Sequence, residues 1–184
     1  MNRRRYLKLA GTLGASFAGC IGTGSEDGGT TTATTSATSE PAPETDAKTP
    51  IHADYETTEV QVRSPDGELL GSVTAAIADT SELRYLGLSD TESLPEDRGM
   101  LFIYESVADR TFVMREMDFA IDIVYADDQG RITRIHHAPA PAPDEDGENQ
   151  RYPGRGQYVL EVGYEWTSER GISEGDVLAF DLDG

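Results

Sequence analysis

Between residues 22 and 54 the chain contains almost nothing that a folded protein could bury. This stretch has no Val, Leu, Met or aromatic residue, and Ile51 is its only bulky aliphatic side chain. It consists mainly of Thr, Ser, Gly, Pro and acidic residues, which bury too little apolar surface to offset the entropy lost on ordering. We therefore predict a disordered spacer here, so that any hydrophobic core must form from residues 55–184.

From Tyr55 onward the apolar residues come in short runs that are typical of strands. The runs predict two short helices, one over residues 81–88 with Ser81 as its cap and one over residues 165–170 that ends at Gly171. We expect a mostly β (α+β) domain, a small curled sheet or β-barrel with two short helices. The eight predicted strands cover residues 59–63, 69–78, 100–104, 111–117, 120–126, 131–136, 158–163 and 176–182.

Residues 1–19 have the plan of an export signal, with a basic head before a weakly apolar stretch. That stretch, residues 9–18, is too short to span a bilayer, which needs about 20 apolar residues. The head resembles a twin-arginine signal, which implies export of the folded protein by the twin-arginine translocase; the Sec route is the alternative. The residues that match the signal are Arg3, Arg4, Tyr6, Leu7 and Lys8.

The end of this signal resembles a lipobox, with Phe17-Ala18-Gly19 before Cys20. Small residues allow a signal peptidase to bind the extended backbone, and the thiol is suited to form a thioether with a glycerolipid. A two-chain lipid would hold the protein firmly at a membrane, since each buried CH₂ contributes about 0.8 kcal/mol. We expect Cys20 and residues 21–54 to form a lipid-bearing stalk on the extracytoplasmic face. The alternative is an inert cysteine buried in a helix.

The charge of the chain is strongly negative and unevenly distributed. The formal net charge is −19, all 34 acidic residues follow Cys20, and Lys48 is the only lysine beyond it. Such a surface repels phosphate backbones, so the sequence predicts no nucleic-acid partner. Many acidic residues with almost no lysine favour a halophilic protein, because molar salt reduces the Debye length to about 3 Å and screens the self-repulsion. An ordinary acidic protein is the alternative.

Several short blocks between Val60 and Leu182 resemble the uncharacterised domain-of-unknown-function family 192. The resemblance implies a small β-rich barrel with short helices, and it brings no activity, substrate or cofactor. The blocks that carry it are Arg84-x-x-Gly87-Leu88, Leu94-Pro95, Gly99-Met100-Leu101-Phe102, Phe112-x-Met114, Ile121-Asp122, Gly130-Arg131-Ile132, Val159-Leu160-Glu161 and Gly175-Asp176.

One block departs from the family pattern. Members often have Trp-Met-Lys-Asn-Thr where this chain has Val113-Met114-Arg115-Glu116-Met117. Arg115 retains the basic group, but the amide and the hydroxyl are replaced by Glu116 and Met117. A function that required those two groups is therefore not expected in this chain.

Five residues in the matched blocks form the candidate pocket, namely Arg84, Met114, Arg115, Asp122 and Glu161. Asp122 and Glu161 each lie inside an apolar strand, where a carboxylate is either exposed or buried with partners. The arginines suggest those partners. Three interpretations remain open: a structural ion-paired cluster, a ligand-binding pocket, and acid–base catalysis.

The remaining signals are weaker. His136 and His137 should point to opposite faces of a strand, so they cannot share one metal ion. We interpret Asp144-Glu145-Asp146 as a solvated loop and Met100, Met114 and Met117 as core residues. We predict no catalytic set, no metal site and no cofactor.

The sequence thus favours a membrane-anchored extracytoplasmic lipoprotein that displays a small acidic binding or accessory domain. One alternative is a hydrolase-like enzyme that uses Asp122 or Glu161 with Arg84 or Arg115. The other is an accessory subunit of a membrane complex, which would expose an apolar patch of several hundred Å². If the charged side chains converge on an open pocket, the enzyme interpretation gains support.

Overall fold

The computed structural model describes residues 55–89 and 91–182. The predicted signal, the lipidated cysteine and the stalk lie outside these described residues. Within them the chain forms seven strands and two short α-helices. The elements are β1 Thr57–Arg63, β2 Leu69–Ala78, α1 Ser81–Leu86, β3 Arg98–Val113, β4 Ile121–Ala126, β5 Ile132–Ala138, β6 Arg151–Gly163, α2 Trp166–Glu169 and β7 Val177–Ala179, with a 3₁₀ turn at Gly147–Asn149.

The strands form one sheet in the order β5-β4-β6-β3-β2-β1-β7. Only β2 and β3 are parallel, and the connection that contains α1 makes the crossover that parallel neighbours require. β7 pairs with β1 and also meets the start of β5, where Leu178 N–H donates to the Gly130 carbonyl at 2.8 Å. The sheet therefore curls into a half-barrel, which confirms the predicted mostly β fold with two short helices.

Alternation along the strands divides the apolar residues between two cores, one on each face of the sheet. On β4 and β6, Val124, Leu160 and Val162 belong to the core that α2 and β7 cover. Ile123 and Val159 belong to the other core, which packs against α1. Because both faces are covered, the central strands are buried on both sides, and a polar residue in them must enter one core or the other.

Several predicted boundaries were wrong, including the start of β6, which lies at Arg151 and not at residue 158. The predicted strands 100–104 and 111–117 are parts of the single strand β3, which bulges opposite β6 between Ile103 and Ala108. β3 also ends before Met114, because a turn begins there and Glu116 has a φ of 54°. The cap of α1 is Thr80, whose hydroxyl accepts from Leu83 N–H, and Ser81 is the first helical residue.

Among the described residues, no helix combines the length and the apolar character that a membrane span needs.

Candidate functional site

A pocket of about 200 Å³ opens between α1, β3 and the turn after β3. Arginines and aromatic residues dominate its lining, and one carboxyl group lies among them. An engineered cavity of about 150 Å³ holds benzene, so this pocket suits a ligand of similar or slightly larger size. The lining residues are Arg84, Tyr85, Leu86, Gly87, Leu88, Ser89, Phe102, Tyr104, Thr111, Phe112, Val113, Arg115, Met117, Ile121 and Glu161.

Glu161 contributes the carboxyl group of the pocket from the middle of β6. Its neighbours across the sheet are Met100 on β3 and Ile123 on β4, so it enters an apolar core, and only 5% of its surface is exposed. Burial raises the pKa of Glu161 to about 8. No group among the described residues forms a hydrogen bond or ion pair with this carboxyl. It therefore keeps its proton at neutral pH and is available to donate a hydrogen bond to a ligand.

Arg84 lines the pocket from α1, and its guanidinium is fixed by the backbone. Nη1 donates to the Ile103 carbonyl at 2.8 Å and also to the Asp79 carbonyl. The guanidinium carbon lies 4.8 Å from the centre of the Tyr104 ring. These contacts hold the positive charge in place, and no carboxylate among the described residues pairs with it.

Arg115 lies in the turn after β3, and its side chain contacts α1. Its Nη2 donates to the Tyr85 carbonyl, and its guanidinium carbon lies 4.0 Å from the centre of the Tyr85 ring. Tyr85 is largely exposed at 72%, so this pair lies at the rim of the pocket. A cation at the rim attracts anionic ligands toward the opening.

Aromatic side chains packed edge to face make the wall rigid. The ring centres of Phe102 and Phe112 are 4.8 Å apart, and Phe112 in turn lies 5.8 Å from Tyr125. Tyr104 is covered by Arg110, whose guanidinium carbon is 3.4 Å from the ring centre. Burial raises the pKa of the Tyr104 hydroxyl, which keeps this group protonated as well.

The polar groups of the pocket are therefore mainly hydrogen-bond donors. Two guanidiniums and one protonated carboxyl offer N–H and O–H groups, while the aromatic wall offers flat apolar surface. Chemically, this arrangement suits a small ligand that combines a flat apolar body with an anionic or acceptor group.

Three of the five residues of the predicted pocket meet in this pocket, namely Arg84, Arg115 and Glu161. The prediction was wrong for the other two. Met114 is fully buried in the core. Asp122 precedes Ile123, the residue across the sheet from Glu161. Because side chains alternate along a strand, Asp122 points to the opposite face of the sheet.

Asp122 is buried, but unlike Glu161 it accepts several hydrogen bonds. Oδ1 accepts from Glu165 N–H at 3.0 Å, and Oδ2 accepts from Thr167 N–H at 2.9 Å and from the Thr167 hydroxyl at 2.5 Å. His137 Nδ1 lies 2.7 Å from Oδ1. Asp122 thereby fixes the turn that begins α2.

The structure also places each of the weaker sequence signals. His136 and His137 point to opposite faces as predicted, because His136 Nε2 contacts the Pro153 carbonyl while His137 contacts Asp122. In the acidic loop, Asp146 Oδ1 accepts from Glu148 N–H to cap the 3₁₀ turn. Met100, Met114 and Met117 are buried in the core. Among the described residues, no group of three or more His, Cys, Asp or Glu side chains is arranged to hold a metal ion.

The sequence interpretation missed the aromatic wall. Tyr85, Tyr104 and Phe112 come from a helix, a bulge and the far end of β3, and nothing in their spacing indicates that they meet. The signal that existed was the repeated occurrence of an arginine near a tyrosine, as in Arg84-Tyr85.

A second, more open hollow of about 760 Å³ runs along β1 and β7. Its described lining includes Glu56, Glu59 and Asp181 and no arginine or lysine. It lacks a buried ionisable group, so the pocket at Glu161 is the better candidate for specific binding.

The comparisons with known proteins agree with this fold. The family model DUF192, described as Uncharacterized ACR, COG1430, matches residues 61–180. The chain belongs to DUF192. No curated protein matches it.

Two solved structures share the fold of this DUF192 member. One is a proposed transcription regulator from Sinorhizobium meliloti 1021, which is 23% identical with a TM-score of 0.61; the match covers 68% of this chain and 95% of that one. The other is a protein of unknown function from Novosphingobium aromaticivorans DSM 12444, which is 22% identical with a TM-score of 0.59 and coverages of 71% and 89%. At these identities the likeness shows the fold alone.

Proposed function

We propose that this DUF192 protein is an extracytoplasmic lipoprotein whose domain binds a small aromatic or otherwise flat anion in the pocket at Glu161. The observation that carries the binding proposal is the convergence of Arg84, Arg115 and a buried, unpartnered Glu161 on one open pocket. The twin-arginine motif, Cys20 and the stalk support the location of the domain at the membrane. The acidic composition supports function in high salt and disfavours a nucleic-acid partner.

The protonated state of Glu161 suits hydrogen-bond donation to a ligand rather than action as a general base. A general base must lose its proton near the working pH, whereas burial raises the pKa of Glu161 to about 8. A protonated carboxyl instead donates a hydrogen bond to a carboxylate or carbonyl oxygen, as in oxyanion-binding sites that use a neutral acid. Asp122 lies outside the pocket and does not contribute to this chemistry.

Three probes of one shape test the ligand chemistry. Benzoate, benzamide and benzylamine share a ring and differ in charge, and binding to the native state raises the melting temperature by mass action. With the full chain in constant salt, we expect benzoate to raise the melting temperature most and benzylamine not at all. An equal or larger shift with benzylamine would contradict the proposed donor-rich pocket.

Matched variants localise that binding. Arg115→Met removes the rim cation. Arg134→Met removes an exposed arginine that, within residues 55–89 and 91–182, forms an ion pair with Glu174 alone, at 3.6 Å. The shift with benzoate should shrink in Arg115→Met and persist in Arg134→Met. Equal loss in both variants would mean that benzoate responds to the general charge of the surface.

The anchor is tested separately by Cys20→Ser with fractionation of the cells. We expect the protein to leave the membrane fraction, because Cys20 is the only cysteine available for lipidation. Replacing Arg3 and Arg4 together by Lys should leave precursor in the cytoplasm. If Cys20→Ser stays in the membrane fraction undiminished, the lipid anchor is wrong, whatever the result for the pocket.

A further inference from the structure

Asp122, His137 and Ser168 lie in a line on the face of the sheet away from the pocket. Asp122 on β4 is directly opposite His137 on β5, and Ser168 is in α2. Asp122 Oδ1 is 2.7 Å from His137 Nδ1, and His137 Nε2 is 3.4 Å from Ser168 Oγ. The contacts run from the carboxylate through both ring nitrogens to the hydroxyl.

This order of contacts matches the division of roles in a nucleophilic triad. A carboxylate that accepts from Nδ1–H leaves Nε2 of a neutral imidazole as an acceptor, which faces the serine hydroxyl. The distance of 3.4 Å from Nε2 to Oγ is long for a hydrogen bond, but such contacts are often loose before a substrate binds. The imidazole is therefore oriented to take a proton from Ser168.

A single carboxylate positions both of the other groups. Asp122 holds His137 through Oδ1, and it also binds the backbone of Glu165 and the backbone and hydroxyl of Thr167, the residue before Ser168. The distance between imidazole and hydroxyl is thus fixed from both sides.

The three side chains differ in exposure in the way that a nucleophilic triad requires. The Asp122 side chain is fully buried, whereas the His137 side chain is 43% exposed and Ser168 is exposed. Glu165 at the start of the turn has a φ of 61°, a left-handed conformation that costs free energy in a residue other than glycine and often marks functional turns. A substrate in solution can reach the serine.

We propose that Ser168, His137 and Asp122 form a nucleophilic triad that acts on small, activated esters, separately from the pocket at Glu161. Ser168 and His137 are the catalytic residues because they would touch the reacting atoms. Asp122 is a positioning residue, since it acts through His137 and through the turn.

The step balances without a cofactor. Ser168 Oγ attacks the ester carbonyl carbon, and its proton passes to His137 Nε2. The bond from the carbonyl carbon to the leaving oxygen then breaks, and His137 returns the proton to that oxygen, so that an alcohol leaves and an acyl-serine remains. Water then gives a proton to His137 Nε2 and attacks the acyl carbon. The bond from this carbon to Ser168 Oγ breaks, and His137 returns the proton to Oγ, so that the acid leaves and Ser168 is restored.

A fluorophosphonate probe tests the nucleophile directly. The full chain carrying Cys20→Ser is used, because this substitution removes the only thiol. We expect one phosphonylated residue, mapped by mass spectrometry to the peptide that contains Ser168, and hydrolysis of p-nitrophenyl acetate above the buffer rate. Absence of labelling, or labelling mapped to another residue, overturns the proposal.

The variants separate chemistry from folding. Ser168→Ala should abolish labelling, and His137→Gln should slow it about 100-fold, the size of a general-base contribution. Ser106→Ala, at an exposed serine of the β3 bulge, should leave labelling unchanged. For Asp122→Asn we expect a lower kcat with an unchanged KM on p-nitrophenyl acetate. If His137→Gln is labelled as fast as the parent chain, the triad is wrong even if Asp122→Asn fails to fold.

Discussion

Two buried carboxyl groups occupy similar apolar strands of this domain but have opposite surroundings. Asp122 on β4 accepts hydrogen bonds from the turn before α2, while Glu161 on β6 faces a pocket with no such partner among the described residues. Hydrogen bonds to the charged form stabilise a carboxylate, and bare burial destabilises it. The comparison teaches that the partners of a buried acid, more than its burial, decide whether it holds a turn in place or faces a pocket as a neutral donor.

The largest expected effect is a gain in stability at alkaline pH in Glu161→Gln. Burial raises the pKa of Glu161 from 4.5 to about 8 in the native state. Below pH 4.5 both states hold the proton, and from pH 4.5 to 8 only the native state does, so the stability falls as the pH rises through this window. Above pH 8 the natural chain has lost the whole of this contribution to its free energy of unfolding, which is at most about 5 kcal/mol.

Urea denaturation of both proteins at several pH values, in constant salt, measures this difference. The free energies of unfolding should agree near pH 4.5 and diverge in favour of the glutamine variant up to pH 8. Glu105→Gln, at an exposed glutamate, should stay within about 0.5 kcal/mol at every pH. If the difference in the free energy of unfolding between Glu161→Gln and the natural chain were the same at every pH, Glu161 would be ionised in the native state.

The next effect is a loss of stability in Asp122→Ala. The change leaves Glu165 N–H and the N–H and hydroxyl of Thr167 without their acceptor, and breaking such a buried network costs about 3 kcal/mol. Asp109→Ala is the matched control, because Asp109 is 85% exposed and its one ion-pair partner among the described residues is Arg155 at 3.2 Å. It should change the free energy of unfolding by less than about 0.5 kcal/mol. Equal costs in the two variants would contradict the structural role of Asp122.

The sequence predicted the local elements of the fold better than their ends. Alternation identified β1 and β2, and a short apolar run identified β4. Asp127–Gly130 indicated the hairpin between β4 and β5, where Asp127 Oδ1 accepts from Gln129 N–H and Arg131 N–H. These signals depend on neighbours along the chain, so a single sequence contains them. The family resemblance, confirmed over residues 61–180, added the expectation of a barrel.

The start of β6 was not predictable from local pattern. Residues 151–157 contain Pro153, Gly154 and Gly156, which resemble a loop. In the fold, Gly154 pairs with Arg110 on β3, and a Cβ there would lie 2.5 Å from the Tyr125 ring. The glycine is needed because a tyrosine from another strand covers it. Only the tertiary partner reveals that requirement.

The candidate pocket was predicted in part for a related reason. Charged residues in apolar strands drew attention to Asp122 and Glu161, but assigning them to one pocket required the register between β4 and β6. Ile123, not Asp122, is the residue opposite Glu161, and a shift of one residue reverses the face of every side chain. Sequence alternation fixes faces within a strand but not between strands.

The smallest expected effect concerns His137, the fourth contact of Asp122. Its side chain is 43% exposed, so solvent weakens the interaction, and His137→Gln should lower the free energy of unfolding by about 0.5 kcal/mol. Urea denaturation beside Asp122→Ala measures this. If the cost is close to that of Asp122→Ala, His137 belongs to the structural network that holds the turn before α2. Its effect on labelling of Ser168 could then not be separated from its effect on folding. A small cost, together with labelling slowed about 100-fold, would assign the histidine to chemistry, because the fold would then not depend on it.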